Sequence, residues 1–268
     1  MNQIKTGFIG AGNMASAIIN GILSNGILEP SEIAVTDIDS AKVEKLSQKG
    51  VVGMPHASEV VRQAKYIFLA VKPQHIESVL EGICGDVRDE NVFISIAAGI
   101  SGGFIKEKLQ KDVRLVLAMP NTPLLLGCGA TAVCRIDPTG EDEFRFVQDI
   151  FSSAGMAKVI SSDKMNEIIP VNGSSPAFIY QFTKCFVEEA VQNGIDRSSA
   201  LELFCQSLIG SAKMMTESGY DLDELIKMVS SPGGTTIAGL KALREHGFED
   251  AVCAASRDCI KRAYELGK

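Results

Sequence analysis

The sequence predicts an α/β protein with a doubly wound, largely parallel sheet, followed by an all-helical domain. Short apolar runs alternate with helical patterns up to about residue 161, and no strand pattern follows them. A glycine-rich turn joins the first apolar run to the first helix. We therefore expect one domain over residues 1–161 and a second, helical domain over residues 162–268.

Strands are predicted where a short apolar run is rich in β-branched or aromatic residues and is bounded by turn residues. Eight runs meet this description: residues 4–9, 33–36, 51–54, 66–71, 92–96, 113–118, 131–135 and 156–160. Helical patterns separate the early runs, at residues 13–25, at 40–49 with Ser40 as the expected N-cap, and at 74–84. This alternation is typical of βαβ units, whose parallel sheet is covered by helices on both faces.

The second half of the chain has only helical patterns, at residues 177–193, 198–218, 221–229, 235–246 and 249–266. In the first of them, one face is formed by residues that recur every four positions: Phe178, Phe182, Phe186 and Ala190. The aliphatic content of these helices exceeds what a small bundle needs for its own core. We therefore expect this domain to form an interface between subunits.

The composition argues against several classes of protein. A formal net charge of −7 without a basic cluster argues against nucleic-acid binding. Residues 6–28 and 115–134 carry no charge and are long enough to span a membrane, but both contain turn residues that a bilayer does not tolerate. Seven widely spaced cysteines without a C-x-x-C pair, and only three histidines, indicate a reducing compartment and no metal centre. We expect a soluble, cytoplasmic protein without a targeting segment.

The glycine-rich turn is typical of dinucleotide-binding proteins. Its sequence fits the pattern G-x-G-x-x-A and runs Gly10-Ala11-Gly12-Asn13-Met14-Ala15. Because the turn lies between the first strand and the first helix, a pyrophosphate can approach Gly12 and the helix N-terminus. The turn therefore predicts a Rossmann-type domain.

Asp37 ends the second strand, about twenty residues beyond this turn, where an acidic residue can accept hydrogen bonds from the adenosine ribose. A free 2′-hydroxyl suits Asp37, whereas a 2′-phosphate would be repelled unless Ser40 or Lys42 compensates. Asp37 could equally be a residue that only precedes the next helix. The position alone does not decide between NAD and NADP.

Three later strand ends carry turn residues or a lone charge. Lys72 follows Val71 and is the only charge near its strand end, where it is either a cation for the nicotinamide ribose or substrate, or a solvated side chain. The other two segments are Ala97-Ala98-Gly99, small enough for a cofactor to approach the backbone, and Met119-Pro120-Asn121-Thr122-Pro123. Ligands bind at the carboxyl ends of parallel strands, so together these segments predict one site.

Two hydroxyl-rich segments open helices in the second half, at residues 172–176 and 230–236. Each offers hydroxyls and free backbone N–H groups, which can hold an anion without a charged side chain. For either segment alone, simple N-capping would be the expected role. Two such segments beside a dinucleotide-binding domain predict a carboxylate-binding pocket.

Taken in order along the chain, these motifs resemble the pyrroline-5-carboxylate reductase family. The resemblance lies in residues 7–15, 70–73, 119–123, 173–177 and 231–237. It implies that NADPH, with NADH as the alternative, binds at Ile9, Gly10, Ala11, Gly12, Asn13, Met14, Val71, Lys72 and Ala98, with Ala57 near the adenine. It also implies that the substrate lies among Ser174, Ser175, Thr235 and Thr236, and that the helical domains of two subunits interleave, often within a larger ring of dimers.

The reaction that this resemblance implies is hydride transfer to the C=N bond of 1-pyrroline-5-carboxylate, the last step of proline biosynthesis. The carbon of a protonated imine is already electrophilic, so we expect no strong general acid and a site that mainly orients its ligands. The N–H groups and hydroxyls of Gly234, Thr235 and Thr236 are expected to hold the substrate carboxylate. The Thr236 hydroxyl is expected to bond the ring nitrogen.

The chain departs from the family pattern at residues 166–172, at Phe178 where tyrosine is usual, and at Met228 where a polar residue is frequent. These departures concern substrate contacts rather than the reaction class.

Two other functions stay open. A related reductase of another small imine or a β-hydroxy acid would use a lysine followed by asparagine on the long helix, whereas Lys184 precedes Cys185 here. A nucleotide-binding sensor without activity is favoured only by the altered residues 166–172, and the intact Pro-Gly-Gly-Thr-Thr element opposes it.

Overall fold

The computed structural model describes residues 3–267, so the outermost residues of the two predicted domains, at 1, 2 and 268, lie outside it. Eight strands form one sheet in the order β3-β2-β1-β4-β5-β6-β7-β8. They are β1 (Thr6–Ile9), β2 (Ile33–Thr36), β3 (Val52–Gly53), β4 (Tyr66–Leu69), β5 (Val92–Ser95), β6 (Arg114–Met119), β7 (Gly129–Ile136) and β8 (Gly155–Val159). Each overlaps one of the predicted apolar runs, which confirms the strand prediction.

The order of the sheet reverses at β1. Strands β2 and β4 lie on opposite sides of β1, and both run parallel to it. The crevice outside the carboxyl ends of β1 and β4 is therefore the switch point at which doubly wound sheets bind their ligands. Strands β6 and β7 pair antiparallel, whereas the other neighbours are parallel. The doubly wound, largely parallel sheet is thus confirmed, and the direction of β7 is a feature that the apolar pattern does not predict.

Helices cover both faces of the sheet. They are α1 (Asn13–Ser24), α2 (Ser40–Ser47), α3 (Ala57–Gln63), α4 (Pro73–Ile83), α5 (Gly102–Leu109) and α6 (Glu141–Ser153). On one face, Ile18 of α1 and Phe151 of α6 share a core with the stacked rings of Phe8 and Phe68. The core on the other face includes Ile76 of α4. Burial on both faces explains why the strands are continuous apolar runs.

The start of α2 differs from the expectation. Its N-cap is Asp39, whose carboxylate accepts a hydrogen bond from the Ala41 N–H at 3.1 Å, and Ser40 is the first residue of the helix. Both residue types cap helices well, so the pattern did not locate the helix start to within one residue. Helices α3, α5 and α6 are additional to those predicted. The first two have only seven and eight residues, too few to show a clear helical period.

Five further helices confirm the helical second half: α7 (Ser175–Gln192), α8 (Arg197–Glu217), α9 (Leu222–Met228), α10 (Thr235–Glu245) and α11 (Phe248–Leu266). The chain forms two compact units. The first comprises the residues up to Pro176 and those from Asp258 onward, and the second comprises Ala177–Arg257. The predicted domain division after residue 161 does not coincide with these units and stays a prediction.

The second unit is built from helices around a small aromatic cluster. Phe204 of α8 lies 6.1 Å and 5.1 Å, between ring centroids, from Phe182 and Phe186 of α7. Large apolar side chains remain outside this cluster, and Leu203 is 70% exposed. An apolar surface of this kind is typical of an interface with another chain.

The charge-free windows are parts of the sheet unit. Residues 6–28 form β1 and α1, and residues 115–134 form most of β6, the following loop and the first part of β7. None of the helices over residues 3–267 combines the length and the apolar run that a membrane span requires.

Candidate active site

The turn after β1 closes tightly on the end of β4. Gly10 has a φ of +107°, and a Cβ at this position would lie 2.5 Å from the Ala70 carbonyl oxygen. The Gly10 N–H donates to the Thr36 carbonyl at 2.8 Å, and the Ala70 N–H donates to the Ile9 carbonyl at 2.8 Å. Only glycine has both the backbone freedom and the small size that this turn requires.

The start of α1 is open. Gly12 is its N-cap, and a Cβ there would meet no atom within 4 Å among the described residues. No side chain caps this helix, and its first turn carries no acidic residue. Free N–H groups and the positive end of the helix dipole therefore face open space beside Gly12. The residues present fit a dinucleotide pyrophosphate at this point.

Asp37 contacts the glycine-rich turn directly. Its Oδ2 accepts a hydrogen bond from the Ala11 N–H at 2.7 Å, and its Oδ1 accepts one from the Asp39 N–H at 2.9 Å. Asp37 therefore joins the glycine-rich turn to Asp39, the residue that caps α2. Its carboxylate lies at the edge of the turn, where an adenosine ribose would adjoin the pyrophosphate.

The other predicted cofactor residues lie along the same edge of the sheet. Ile9 ends β1, Asp37 follows β2, Ala57 follows β3, and Ala98 follows β5. Val71 and Lys72 follow β4, and Asn13 and Met14 begin α1. These strands are mutually parallel, so their carboxyl ends line one side of the sheet. Contact of each residue with a cofactor remains a prediction.

Lys72 is an exposed cation at this edge. It is the N-cap residue of α4, and its carbonyl accepts a hydrogen bond from the His75 N–H at 2.9 Å. Within residues 3–267 its ammonium group makes no ion pair or hydrogen bond. The side chain is therefore available to a ligand.

Gly99 has a different role from the one expected. Its φ is +81°, and a Cβ at this position would collide with the Ala263 carbonyl oxygen in α11. The small size of this residue thus allows the close approach of a helix of the same unit, rather than of a cofactor. Ala98 beside it remains the candidate for cofactor contact.

The loop after β6 is tied to the segment before α7. Asn121 accepts a hydrogen bond from the Ala130 N–H through Oδ1 at 2.9 Å, and through Nδ2 it donates to the Asn172 carbonyl at 3.0 Å. Asn172 lies in a π-helical turn, Ile169–Gly173, a type of turn frequent at functional sites. The sequence motifs do not predict this pair. Its only signal was that both asparagines stand in charge-free turns.

Ser174 and Ser175 follow this turn in the first unit. The Ser174 N–H donates to the Ile169 carbonyl at 2.8 Å and completes the turn. Both serines are partly buried, and neither hydroxyl bonds another of the described residues. Both hydroxyls are therefore free to bind a ligand.

The second hydroxyl-rich segment has the same property. Gly234 is the N-cap of α10, which has no side-chain cap, so Thr235 and Thr236 are not used for capping. Gly233 has a φ of +73°, and a Cβ on Gly234 would lie 2.6 Å from Ser231 Oγ. The alternative of simple N-capping is therefore wrong here. This segment lies in the second unit, whereas Ser174 and Ser175 lie in the first.

The fold and the open helix at its switch point define a dinucleotide-binding protein. Two family models match the chain: "NADP oxidoreductase coenzyme F420-dependent" over residues 5–99, and "Pyrroline-5-carboxylate reductase dimerisation" over residues 162–266. Pyrroline-5-carboxylate reductase of Escherichia coli strain K12 is 37% identical over 265 residues, 98% of each chain. That of Methanosarcina acetivorans is 35% identical over 269 residues, 100% of each. The chain belongs to the pyrroline-5-carboxylate reductase family.

A solved structure agrees with this assignment. Plasmodium falciparum pyrroline carboxylate reductase with NADP bound is 28% identical and superimposes with a TM-score of 0.91, covering 100% of both chains. The similarity confirms the predicted fold class, a Rossmann-type sheet followed by a helical domain.

Proposed function

We propose that this chain reduces 1-pyrroline-5-carboxylate to L-proline with NADH or NADPH, as a cytoplasmic homodimer. The observation that carries this proposal is the start of α10. There, the N–H groups and the hydroxyls of Thr235 and Thr236 are not engaged in capping hydrogen bonds. An anionic substrate without a charged partner needs such a site. Relatives that align over the full chain bear the name of this enzyme.

On the coenzyme side, the chain supplies orientation. The N–H groups at the start of α1 hold the pyrophosphate, and Gly12 leaves room for it. Val71, Lys72 and Ala98 border the nicotinamide end, with Lys72 as its cation. The reduced nicotinamide supplies the hydride for the C=N carbon. Because an iminium carbon is already electrophilic, the residues act by orientation rather than by proton donation from a strong acid.

On the substrate side, backbone N–H groups and hydroxyls of Gly234, Thr235 and Thr236 bind the carboxylate. A helix N-terminus stabilises a negative charge by about 0.3–1 kcal/mol, and by more when the site is partly buried. The Thr236 hydroxyl bonds the ring nitrogen. Ser174 and Ser175 are the other two substrate-binding residues that the family resemblance implies, and their hydroxyls bond no other described residue.

The homodimer is supported by the dimerisation model over residues 162–266 and by the apolar side chains that the second unit leaves exposed. A larger ring of dimers is a further part of this proposal. Light scattering of the purified chain distinguishes monomer, dimer and ring.

The reaction is tested by following NADH or NADPH oxidation with pyrroline-5-carboxylate as substrate. Thr236→Ala should lower kcat/KM about 10- to 100-fold, since it removes a polar contact to the reacting group. Thr216→Ala is the matched control, because the Thr216 hydroxyl bonds carbonyls of its own helix, those of Ala212 at 3.1 Å and Lys213 at 3.3 Å. A loss of less than twofold in Thr236→Ala contradicts its role. Absence of turnover with either coenzyme contradicts the proposed reaction.

The alternative reductase with a catalytic lysine gains no support. Lys184 lies on α7 with its ammonium group 3.7 Å from the Glu188 carboxylate, an exposed ion pair along one helix. An exposed pair of this kind is typical of a solvated helix surface.

A further inference from the structure

Two acidic residues, Asp37 and Asp39, lie on the loop between β2 and α2, beside the phosphate-binding turn. We infer that this loop makes the chain select NADH over NADPH, because it fixes the Asp37 carboxylate where a 2′-phosphate would have to lie. The inference rests on the proposed function and deepens it, since that function does not decide between NADH and NADPH.

The Asp37 carboxylate is held through both of its oxygens. Oδ2 accepts the Ala11 N–H at 2.7 Å, and Oδ1 accepts the Asp39 N–H at 2.9 Å. A carboxylate oxygen accepts about two hydrogen bonds, so each oxygen keeps one free acceptor position. Neighbouring ribose hydroxyls can donate to these two positions. A 2′-phosphate offers negatively charged oxygens instead of a hydroxyl proton.

The same anchoring prevents Asp37 from turning away. To rotate out of contact with a phosphate, the side chain would have to give up both hydrogen bonds, and bonds to a charged acceptor are the strong ones. One of them ends on Ala11, within the turn that binds the pyrophosphate. Displacing Asp37 would therefore also disturb the turn.

The surroundings of Asp37 do not compensate for a second negative group. Lys42 is 3.4 Å from the Asp39 carboxylate, so its charge is already offset. Ser40 adds a hydroxyl without a charge, and Ile38 is apolar and fully exposed. Within residues 3–267, Asp37 has no ion pair with a lysine or arginine. Sites that accept a 2′-phosphate supply such a cation.

Binding constants measured without substrate test this inference. The dissociation constants of NADH and NADPH are obtained from the nicotinamide fluorescence, and those of 5′-AMP and adenosine 2′,5′-bisphosphate from calorimetry. We expect the native chain to bind NADH, and 5′-AMP, about tenfold or more tightly than the counterpart with a 2′-phosphate, because like charges repel across the site. Asp37→Asn and Asp37→Ser should remove most of this difference. Asp149→Asn, an exposed change of equal charge on α6, should keep it.

The outcomes separate this inference from the proposed function. Equal or tighter binding of NADPH by the native chain overturns the inference, and continued reduction of pyrroline-5-carboxylate would leave the function intact. Selective NADH binding without that reduction supports the inference and contradicts the function. If a folded Asp37 variant, checked by its melting temperature, keeps the native ratio, the inference is likewise overturned.

Discussion

Asn121 and Asn172 hold each other's segments in place across 51 residues of sequence. Asn121 donates to the Asn172 carbonyl, and Asn172 Nδ2 donates to the carbonyls of Met119 and Ala130 at 2.6 Å and 2.9 Å. Both side chains are buried. The two serines that follow Asn172 are thus fixed to the ends of β6 and β7 without any charged group.

Asn172→Asp should destabilise the chain strongly. The substitution keeps the shape but places a carboxylate oxygen against two carbonyl oxygens in a buried site. We expect the free energy of unfolding to fall by about 2–4 kcal/mol, measured by urea unfolding and circular dichroism. Asn25→Asp is the control, because Asn25 donates to the Gly21 carbonyl at an exposed helix end. It should cost less than about 1 kcal/mol. Equal losses of unfolding free energy in both variants would contradict the role of the buried Asn172 hydrogen bonds.

Alanine at Gly10 and at Gly12 should have different effects. Gly10→Ala combines a positive φ with a clash against Ala70, so we expect a loss of about 2 kcal/mol or more in stability. Gly12→Ala meets no atom of the described chain, and its stability should stay within about 0.5 kcal/mol of the native value. Its affinity for a dinucleotide should nevertheless fall about tenfold, because the new methyl group occupies the pyrophosphate position. Thermal melts and coenzyme titrations measure the two effects. A Gly12→Ala protein with native affinity would place the pyrophosphate elsewhere.

Gly99→Ala should act on folding through α11. The added methyl would collide with the Ala263 backbone, so we expect a loss of about 2–4 kcal/mol in the free energy of unfolding. Gly82→Ala is the matched control, since Gly82 lies near the end of α4 with open space around its Cβ position. It should gain roughly 0.5–1 kcal/mol from helix propensity. Similar melting temperatures for the two variants would be the contrary result.

The end of α11 should respond to alkaline pH. Tyr264 donates to Glu167 Oε1 at 2.7 Å, and this hydrogen bond raises the pKa of the Tyr264 phenol. A raised pKa in the folded state stabilises the fold fully below the unfolded tyrosine pKa of about 10, and this stabilisation is lost as pH rises through the folded pKa. The melting-temperature difference between the native chain and Tyr264→Phe should be constant up to about pH 9 and shrink above it.

The exposed Tyr220 provides the comparison for this measurement. Its replacement by Phe removes a phenol without a hydrogen bond to the described residues, so Tyr220→Phe controls for the loss of a phenol as such. A Tyr264→Phe difference that grows with pH would show that the hydrogen bond is absent.

Local patterns predicted the sheet edge and its turn well. Strands buried on both faces are necessarily apolar runs, and the turn after β1 needs glycine at Gly10 for reasons that involve only its neighbours in the βαβ unit. The cofactor residues could be placed on one edge because parallel strands bring their carboxyl ends together.

Tertiary contacts explain what the patterns missed. The sequence predicts that Gly99 adjoins a cofactor. A small residue indicates that another group comes close to the backbone, but it does not show which group this is. Asn172 bonds to the end of β6 and to Ala130, far away in sequence, so the local pattern of residues 172–176 does not predict these bonds. Asp39 and Ser40 are both capping residues, and only the backbone geometry shows which of them caps α2.

The last turns of α11 belong to the first unit, with Ala263 in its core and Tyr264 bonded to Glu167. During synthesis from the N-terminus, these residues leave the ribosome after the whole of the helical unit. The sheet therefore cannot complete its core while Ala177–Arg257 is still being translated. The first unit is thus the first to be synthesised and the last to complete its fold.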